Sequence, residues 1–171
     1  MREVCYFVAC SLDGFIAGPD ASIDWLFTDG DYGYADFYRE VDCLLVGRQT
    51  FETALSFGEY PYAGKRVCVF TRGGFRSPVT EAEVVQADPA SFVASLKQFP
   101  GGRIWLVGGG ELAGALAQAR LVDELVVSVH PVTLGRGVPL FQPHDGRGHW
   151  EVTRTLGYPT GLVQTTYRLR D

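Results

Sequence analysis

Two segments of the chain join an apolar run directly to a helical pattern through glycine, and such junctions are suited to binding anions. They are CLLVGRQTFET at residues 43–53 and IWLVGGGELA at residues 104–113. The apolar runs do not alternate with polar residues, which is typical of strands covered on both faces. Glycine lets a ligand approach the backbone, and N–H groups of the first helical turn attract phosphate. Two such junctions predict a cofactor that carries a pyrophosphate.

The first junction also has side chains suited to phosphate oxygens. Gly47 permits close approach to the backbone. Arg48, Gln49 and Thr50 supply helix N–H donors, a hydroxyl and a fixed positive charge. The alternative interpretation is structural, with Gly47 in a tight turn and Arg48 as a solvated surface cation.

The second junction offers bare backbone at the start of a helix. Three consecutive glycines lead into an acid and a leucine: Gly108, Gly109, Gly110, Glu111 and Leu112. Bare backbone before a helix suits a phosphate group. The alternative is a structural turn that binds nothing.

The same segment matches the G-x-G-x-x-A pattern of Rossmann folds at residues 108–113. That fold requires an acidic ribose ligand roughly 20 residues further on, and this chain has Ser128–His130 there. The junction also lies late in the chain and does not follow a first strand. We therefore reject a Rossmann fold.

Length, charge and hydropathy limit the class of protein. The 171 residues have a formal net charge of −5 and a pI near 5.2, whereas general nucleic-acid binding needs a concentrated basic face. The apolar stretch at residues 4–10 is too short for a signal-peptide core or a membrane span. No linker or repeat divides the chain. We expect a single cytoplasmic domain over residues 1–171, with no nucleic-acid or membrane partner.

The cysteines and histidines predict no metal site. The cysteines lie in apolar runs without C-x-x-C spacing, which indicates buried free thiols; they are Cys5, Cys10, Cys43 and Cys68. The histidines lack zinc-site spacing relative to those cysteines; they are His130, His144 and His149.

Hydrophobic periodicity and turn residues predict alternating strands and helices. The predicted strands are 4–9, 43–46, 66–70, 83–86, 103–107, 124–130, 150–156 and 162–169. The predicted helices are 31–41, 48–57, 89–99 and 111–118, the third with Asp88 as N-cap and Pro89 in its first position. This alternation requires a mostly parallel central sheet, and the last two strands form an antiparallel edge hairpin. The expected architecture is a three-layer α/β fold.

Five motifs resemble those of the dihydrofolate-reductase-like family. They are GRQTFE at 47–52, VGGG at 107–110, SLDG at 11–14, GRGVPLF at 135–141 and DGDYG at 29–33. The first two are similar to dihydrofolate reductase signatures. The others are more similar to the reductase domain at the C-terminal end of the bifunctional riboflavin-biosynthesis deaminase-reductase and to its stand-alone relatives. The resemblance covers essentially the whole chain. It implies a dihydrofolate-reductase-like fold of about eight strands, NADPH-dependent reduction and a homodimer.

The resemblance also implies where NADPH binds. It places the cofactor across both junctions, in contact with residues 47–50 and with the segment from Val107 to Leu112. It places Thr71 and Arg72 at the adenosine end, where a hydroxyl and a guanidinium suit a 2′-phosphate and favour NADPH over NADH. The alternative is that Arg72 is solvated in a glycine-rich loop.

Reduction of a C=N or C=O group needs a hydride donor, a pocket that excludes water and a proton source. Asp13 is the leading candidate for the proton source, because it follows the first strand near the expected nicotinamide end of the cleft. The alternative is that Asp13 caps its own turn. Ser11 is either a polar substrate contact or another turn residue.

Further candidates for substrate contact lie in the region from which dihydrofolate reductases supply their substrate-binding carboxylate. Asp24 and Asp31 are the acids, and loop acids are otherwise simply solvated. Trp25, Tyr32 and Tyr34 are suited to stacking on a heteroaromatic ring, with packing in a core or interface as the alternative.

The chain departs from the riboflavin enzyme in ways that affect its substrate. Residues 6–10 contain no lysine where that family commonly has one, so a basic contact to a substrate phosphate is expected to be missing. No zinc-deaminase signature occurs either. We predict an NADPH-dependent reductase of a small heteroaromatic substrate, pterin-like or 5-amino-6-ribosylaminouracil-like. The alternative is a nucleotide-binding dimer without turnover that retains the cofactor site.

Overall fold

A computed structural model describes residues 1–170, with ten strands and four helices in that range. The strands are β1 (Val4–Cys10), β2 (Phe15–Ala17), β3 (Val41–Gly47), β4 (Arg66–Phe70), β5 (Ala82–Val85), β6 (Arg103–Gly108), β7 (Glu124–Val129), β8 (Val138–Pro139), β9 (Trp150–Gly157) and β10 (Val163–Leu169). The helices are α1 (Tyr34–Glu40), α2 (Arg48–Ser56), α3 (Pro89–Leu96) and α4 (Gly110–Gln118).

Eight strands form one sheet in the order β5-β4-β3-β6-β1-β7-β10-β9. The first six strands in that order, from β5 across to β7, run parallel to one another, whereas β10 is antiparallel to both β7 and β9. The central strands are apolar along nearly their whole length because helices cover both faces. This confirms the predicted three-layer α/β fold with an antiparallel edge hairpin.

The helices divide between the two faces of the sheet. Phe37 of α1 and Phe51 of α2 pack into one buried cluster, which includes Trp105. Val93 of α3 and Leu112 of α4 pack into the cluster on the other face. Burial of each such side chain contributes about 1.5–3 kcal/mol to the free energy of folding, so the helices are held firmly on the sheet.

The crossovers diverge at the middle of the sheet. The chain leaves β3 through α2 toward β4, and it leaves the neighbouring strand β6 through α4 toward β7 on the opposite face. In open α/β sheets, such a reversal creates a crevice at the carboxyl ends of the strands. Both glycine junctions therefore come together at this point of the fold.

Several predicted boundaries differ from the structure. Helix α1 begins at Tyr34, three residues later than predicted, because Tyr32 and Gly33 have left-handed φ angles of 51° and 84° that cannot continue a helix. Helix α3 ends at Leu96 and not near residue 99. Its start is as predicted, since the Asp88 side chain accepts a hydrogen bond from the Ser91 N–H.

The two-stranded sheet formed by β2 and β8 was not predicted. It pairs Phe15 with Pro139 and Ala17 with Val138, and both strands are too short to give a periodic signal. A Cβ atom at Gly137 would lie only 2.1 Å from the Ala17 carbonyl oxygen, so this approach requires glycine. The GRGVPLF motif at residues 135–141 therefore has an architectural role.

Within residues 1–170, no helix has the length and apolar character needed to cross a membrane.

Candidate cofactor and substrate cleft

A cleft of about 1160 Å³ opens at the carboxyl ends of the parallel strands. It has two regions of different character. We call the part formed by residues 47–50, 71–73 and 107–112 the glycine end, and the part around Phe7, Tyr34, Tyr62 and Trp105 the aromatic end. The glycine end lies at β3, β4 and β6, and the aromatic end lies toward β1 and α1.

The two glycine junctions lie directly against each other at the glycine end. A Cβ atom added to Gly47 would lie 3.7 Å from the Gly108 carbonyl oxygen, and one added to Gly109 would lie 3.6 Å from Thr50 Oγ1. Gly47 has an ordinary φ of −72°, whereas Gly109 has a φ of 76° that other residues rarely adopt. The fold therefore requires glycine at 109 but not at 47.

Neither α2 nor α4 has a side-chain cap on its first turn. Their uncapped N–H groups begin at Arg48 and Gly110 and carry the positive ends of two helix dipoles toward one gap. Helix α4 is held in position by close packing, because a Cβ atom at Gly110 would lie 2.5 Å from the Pro139 carbonyl oxygen. The arrangement is suited to holding the two phosphates of a dinucleotide.

Two arginines line the cleft, and both are held at the glycine end. The Arg48 Nε lies 3.3 Å from Glu52 Oε1, and its guanidinium lies 5.0 Å from the centre of the Phe75 ring. Arg72 forms an ion pair with Glu111 in the first turn of α4. Both pairs are solvent-exposed and weak, so a phosphate group can displace the carboxylates.

The structure places every sequence-predicted cofactor residue on the wall of the cleft. These residues are Gly47, Arg48, Gln49, Thr50, Thr71, Arg72, Val107, Gly108, Gly109, Gly110, Glu111 and Leu112. None of the five predicted catalytic and substrate residues is on that wall; they are Ser11, Asp13, Asp24, Trp25 and Asp31.

Asp13 is held by hydrogen bonds from Ser11 in its own turn and from a loop that is distant in the chain. Its carboxylate accepts hydrogen bonds from Ser11 Oγ at 2.7 Å, the Leu134 N–H at 3.0 Å and the Gly135 N–H at 2.7 Å. These contacts, led by that from Ser11, lower the pKa of Asp13 to about 2. A carboxylate that is ionised at neutral pH and occupied in this way is poorly suited to donating a proton. Ser11 and Asp13 instead join the end of β1 to the loop after β7.

Of the three remaining predicted substrate residues, Asp31 and Trp25 have structural contacts and Asp24 has none within the part of the chain that the structure describes. Asp31 accepts hydrogen bonds from the Gly33 and Ala35 N–H groups, which lowers its pKa and caps the start of α1. Trp25 packs edge-on against His130, with ring centres 5.3 Å apart. Asp24 is solvent-exposed. These positions support the solvated-acid and core-packing alternatives.

The aromatic end was largely missed by sequence reasoning, which named only Tyr34. The Trp105 ring lies at its centre, 5.6 Å from the Tyr34 ring and 6.1 Å from the Tyr62 ring, and its Nε1 donates to the Phe7 carbonyl oxygen at 3.1 Å. Burial raises the pKa of Tyr34 to about 12, so its hydroxyl keeps its proton at neutral pH. The region is a rigid wall suited to a flat ring.

Within residues 1–170, no group of three or more His, Cys, Asp or Glu side chains is arranged to hold a metal ion.

The RibD C-terminal domain model matches residues 2–164 of this chain. The chain belongs to the RibD C-terminal domain family. Two uncharacterized Bacillus subtilis (strain 168) proteins are similar to this chain along most of their length. YwjB is 39% identical over 144 residues, covering 82% of this chain and 83% of YwjB. YyaP is 32% identical over 180 residues, covering 97% of this chain and 94% of YyaP.

Solved structures agree with this family assignment. A putative riboflavin biosynthesis protein from Shewanella sp. PV-4 has a TM-score of 0.88 and 28% identity, with both chains covered completely. A deaminase and 5-amino-6-(5-phosphoribosylamino)uracil reductase from Thermotoga maritima has a TM-score of 0.74 and 15% identity, covering 99% of this chain and 57% of that one.

The Enterococcus faecalis dihydrofolate reductase, solved with NADP(H) and RAB-propyl, has a TM-score of 0.73 and 19% identity. The match covers 99% of this chain and 97% of the reductase. At these identities, the Thermotoga and Enterococcus structures show the fold alone. The resemblance to the dihydrofolate-reductase-like family is confirmed by the family match and by the shared fold.

Proposed function

We propose that the protein is an NADPH-dependent reductase that transfers a hydride to a small heteroaromatic substrate, pterin-like or 5-amino-6-ribosylaminouracil-like. One observation carries the proposal: two uncapped helix starts meet through glycine in a single cleft, beside an aromatic pocket. The cleft volume of about 1160 Å³ exceeds the range of about 300–1,000 Å³ typical of a single-ligand pocket, which supports two ligands side by side.

The glycine end fits a dinucleotide. The N–H groups at the starts of α2 and α4 would hold the pyrophosphate, and Gly47 leaves space for it between the junctions. Thr71 and Arg72 would bind the adenosine end, and Arg48 would add charge beside the phosphates. When bound, NADPH supplies the hydride.

The aromatic end would orient the substrate against the cofactor. Half-buried Phe7, backed by the largely buried Trp105, offers a flat apolar surface that would exclude water from the reacting atoms. Tyr34 holds a proton at its hydroxyl oxygen at neutral pH, and it would donate a hydrogen bond to the substrate. This assigns to Tyr34 the polar contact that the sequence assigned to the loop acids.

A nucleotide-binding protein without turnover is the second candidate. It is favoured by the contacts of Asp13, whose carboxylate is occupied by Ser11 and the loop after β7. In either case we propose a homodimer in the cytoplasm, since the edge strand β9 is exposed along most of its length and is available for a second copy.

Calorimetry with NADPH and NADH tests the cofactor assignment directly. We expect NADPH to bind more tightly than NADH, and a lack of heat with both would contradict the proposal. A panel of pterins, aminopyrimidines and quinones, followed by NADPH absorbance, then separates the two candidates. Oxidation of NADPH by at least one compound supports the reductase, whereas tight NADPH binding without oxidation by any of them supports the binding protein.

A further inference from the structure

We propose that the substrate is an uncharged planar heterocycle with ring N–H donors and no phosphate group. The inference rests on the proposed function and narrows its substrate class. It follows from the distribution of charge along the wall of the cleft, which differs sharply between the glycine end and the aromatic end.

Positive charge is confined to the glycine end. Of the residues that line the cleft, the only cations are Arg48, held by Glu52 and Phe75, and Arg72, held by Glu111. These are also the positions where the cofactor phosphates would bind. A substrate phosphate at the aromatic end would therefore have no arginine or lysine on the wall beside it.

The lysine behind the aromatic end is already committed. Lys65 Nζ donates to the Tyr38 carbonyl oxygen at 3.2 Å and to the Val41 carbonyl oxygen at 2.5 Å, and it lies 4.7 Å from the centre of the Tyr38 ring. Lys65 does not line the cleft. Freeing it would break both of these hydrogen bonds, so it is not a reserve cation for a phosphate.

The charged cleft residue nearest in sequence to the aromatic end is negative. It is Glu59, three residues before Tyr62, and within residues 1–170 it forms no ion pair and no side-chain hydrogen bond. A phosphate dianion beside Glu59 would be repelled, and its desolvation against Phe7, Tyr62 and Trp105 would not be compensated. The same carboxylate is a good acceptor for the ring N–H and amino groups of a pterin or aminopyrimidine.

Arg136 is an exposed cation two residues before Val138, which lines the cleft. It follows Gly135, which is bound to Asp13. Arg136 does not itself line the cleft. It is a candidate cation for a phosphorylated substrate to recruit, and we therefore include it in the test.

The test is calorimetric titration of NADPH-loaded protein with two matched pairs. They are 5-amino-6-ribosylaminouracil with its 5′-phosphate, and dihydroneopterin with its monophosphate. We expect the unphosphorylated member of at least one pair to bind at least about tenfold more tightly than its phosphate ester. Equal or tighter binding of the esters, or no binding of any of the four compounds, overturns the inference. If the esters do bind tightly, a loss of that binding in Arg136→Ala would identify Arg136 as the cation that binds the phosphate.

Two variants sharpen the result. Phe57→Lys places a cation two residues before Glu59, at a residue that is 67% exposed and lines the cleft. It should lower the ratio of the two dissociation constants, ester over unphosphorylated compound, by at least about threefold. Phe99→Lys, at a residue 61% exposed outside the cleft, is the matched control and should leave the preference unchanged. If the ratio of the two dissociation constants is the same in Phe57→Lys as in the wild-type protein, the electrostatic argument is contradicted.

Glu59→Gln should weaken binding of the unphosphorylated compound by about tenfold while leaving the NADPH dissociation constant unchanged. Equal binding of that compound to the wild-type protein and Glu59→Gln would overturn the role of Glu59. NADPH is titrated first in every case. Failure at that step counts against the proposed function, whereas normal NADPH binding with a preference for the ester counts against the substrate inference alone.

Discussion

The chain begins its structural elements in two different ways. At α2 and α4 a glycine precedes the helix, and no side chain covers the first-turn N–H groups. At α3 and α1 an aspartate accepts a first-turn N–H group, since Asp88 accepts from Ser91 and Asp31 accepts from Ala35. Asp13 likewise accepts backbone N–H groups, but those of Leu134 and Gly135 in the loop after β7. The acid-capped starts are complete without a ligand, whereas the glycine starts leave donors available for one. The proposed anion binding therefore depends on backbone N–H groups that are left uncapped.

The first prediction removes the charge beside the glycine starts. Arg48→Ala should raise the NADPH dissociation constant by the equivalent of about 1.5–3 kcal/mol, because a charge-assisted bond to phosphate is lost. Arg39→Ala is the control, since Arg39 is also an exposed helical arginine paired with an acid, but it lies outside the cleft. Titration calorimetry measures both variants, and equal constants for Arg48→Ala and the wild-type protein would remove Arg48 from the site.

The second prediction fills the space between the glycine starts. Gly47→Ala should weaken NADPH binding by about tenfold because a methyl group would occupy the approach to the backbone. The melting temperature of this variant should equal that of the wild-type protein, because Gly47 has an ordinary φ and the added Cβ atom would come no closer than 3.7 Å to any neighbouring atom. Gly157→Ala, with no atom near its added Cβ, is the control. A lower melting temperature with unchanged affinity would show that Gly47 serves the fold alone.

The third prediction concerns an acid-capped start. Asp88→Ala should lower the melting temperature, because the Ser91 N–H loses its acceptor at 2.8 Å. The NADPH dissociation constant should stay the same, although Asp88 lies on the cleft wall. Thermal melting and calorimetry on one preparation provide both values. Weaker NADPH binding at an unchanged melting temperature would mean that Asp88 contacts the cofactor, and the comparison of helix starts would fail.

The fourth prediction applies the comparison to the candidate proton donor. Asp13→Asn replaces one acceptor oxygen with an amide that cannot accept from the backbone N–H of Leu134 or Gly135. We expect a lower melting temperature, with turnover at low temperature close to that of the wild-type protein. Loss of turnover without any change in melting would restore Asp13 as a catalytic residue.

Local patterns were sufficient to predict the glycine end. An apolar run, a glycine and a helical pattern are contiguous in the chain, so residues 47–50 and 107–112 were identified together with their strands. The contacts of Asp13 could not be predicted from a local pattern, because its backbone partners Leu134 and Gly135 are 121 and 122 residues away in the chain.

The aromatic end depends on contacts that are distant in the chain. Phe7 comes from β1, Tyr34 from α1, Tyr62 from the loop after α2 and Trp105 from β6. They meet only because β6 inserts between β3 and β1, an order that hydrophobic periodicity does not specify. The β2 and β8 pairing was missed because two or three residues give no period.

The last prediction concerns a backbone contact that changes with pH. His130 Nε2 accepts a hydrogen bond from the Phe27 N–H at 3.2 Å, while Nδ1 lies 3.2 Å from the Ser128 carbonyl oxygen, so the ring is neutral. Burial is the main cause that lowers the pKa of His130 below its usual 6.5. This contact fastens the loop from which Ile23 and Leu26 line the cleft.

Because the unfolded chain binds the His130 proton more readily than the folded chain, protonation opposes folding. The stability that His130 contributes is complete above about pH 6.5 and is lost as the pH falls from there toward the lowered folded pKa. His130→Gln retains an oxygen acceptor for Phe27 but does not titrate, so its unfolding free energy should fall less between pH 7.5 and pH 5 than that of the wild-type protein. Denaturant melts at both pH values measure the difference. An equal fall in unfolding free energy in both proteins would show that the Phe27 contact does not depend on the neutral ring. Asp13, with its pKa of about 2, stays ionised over this range, so its contacts should not contribute to the difference.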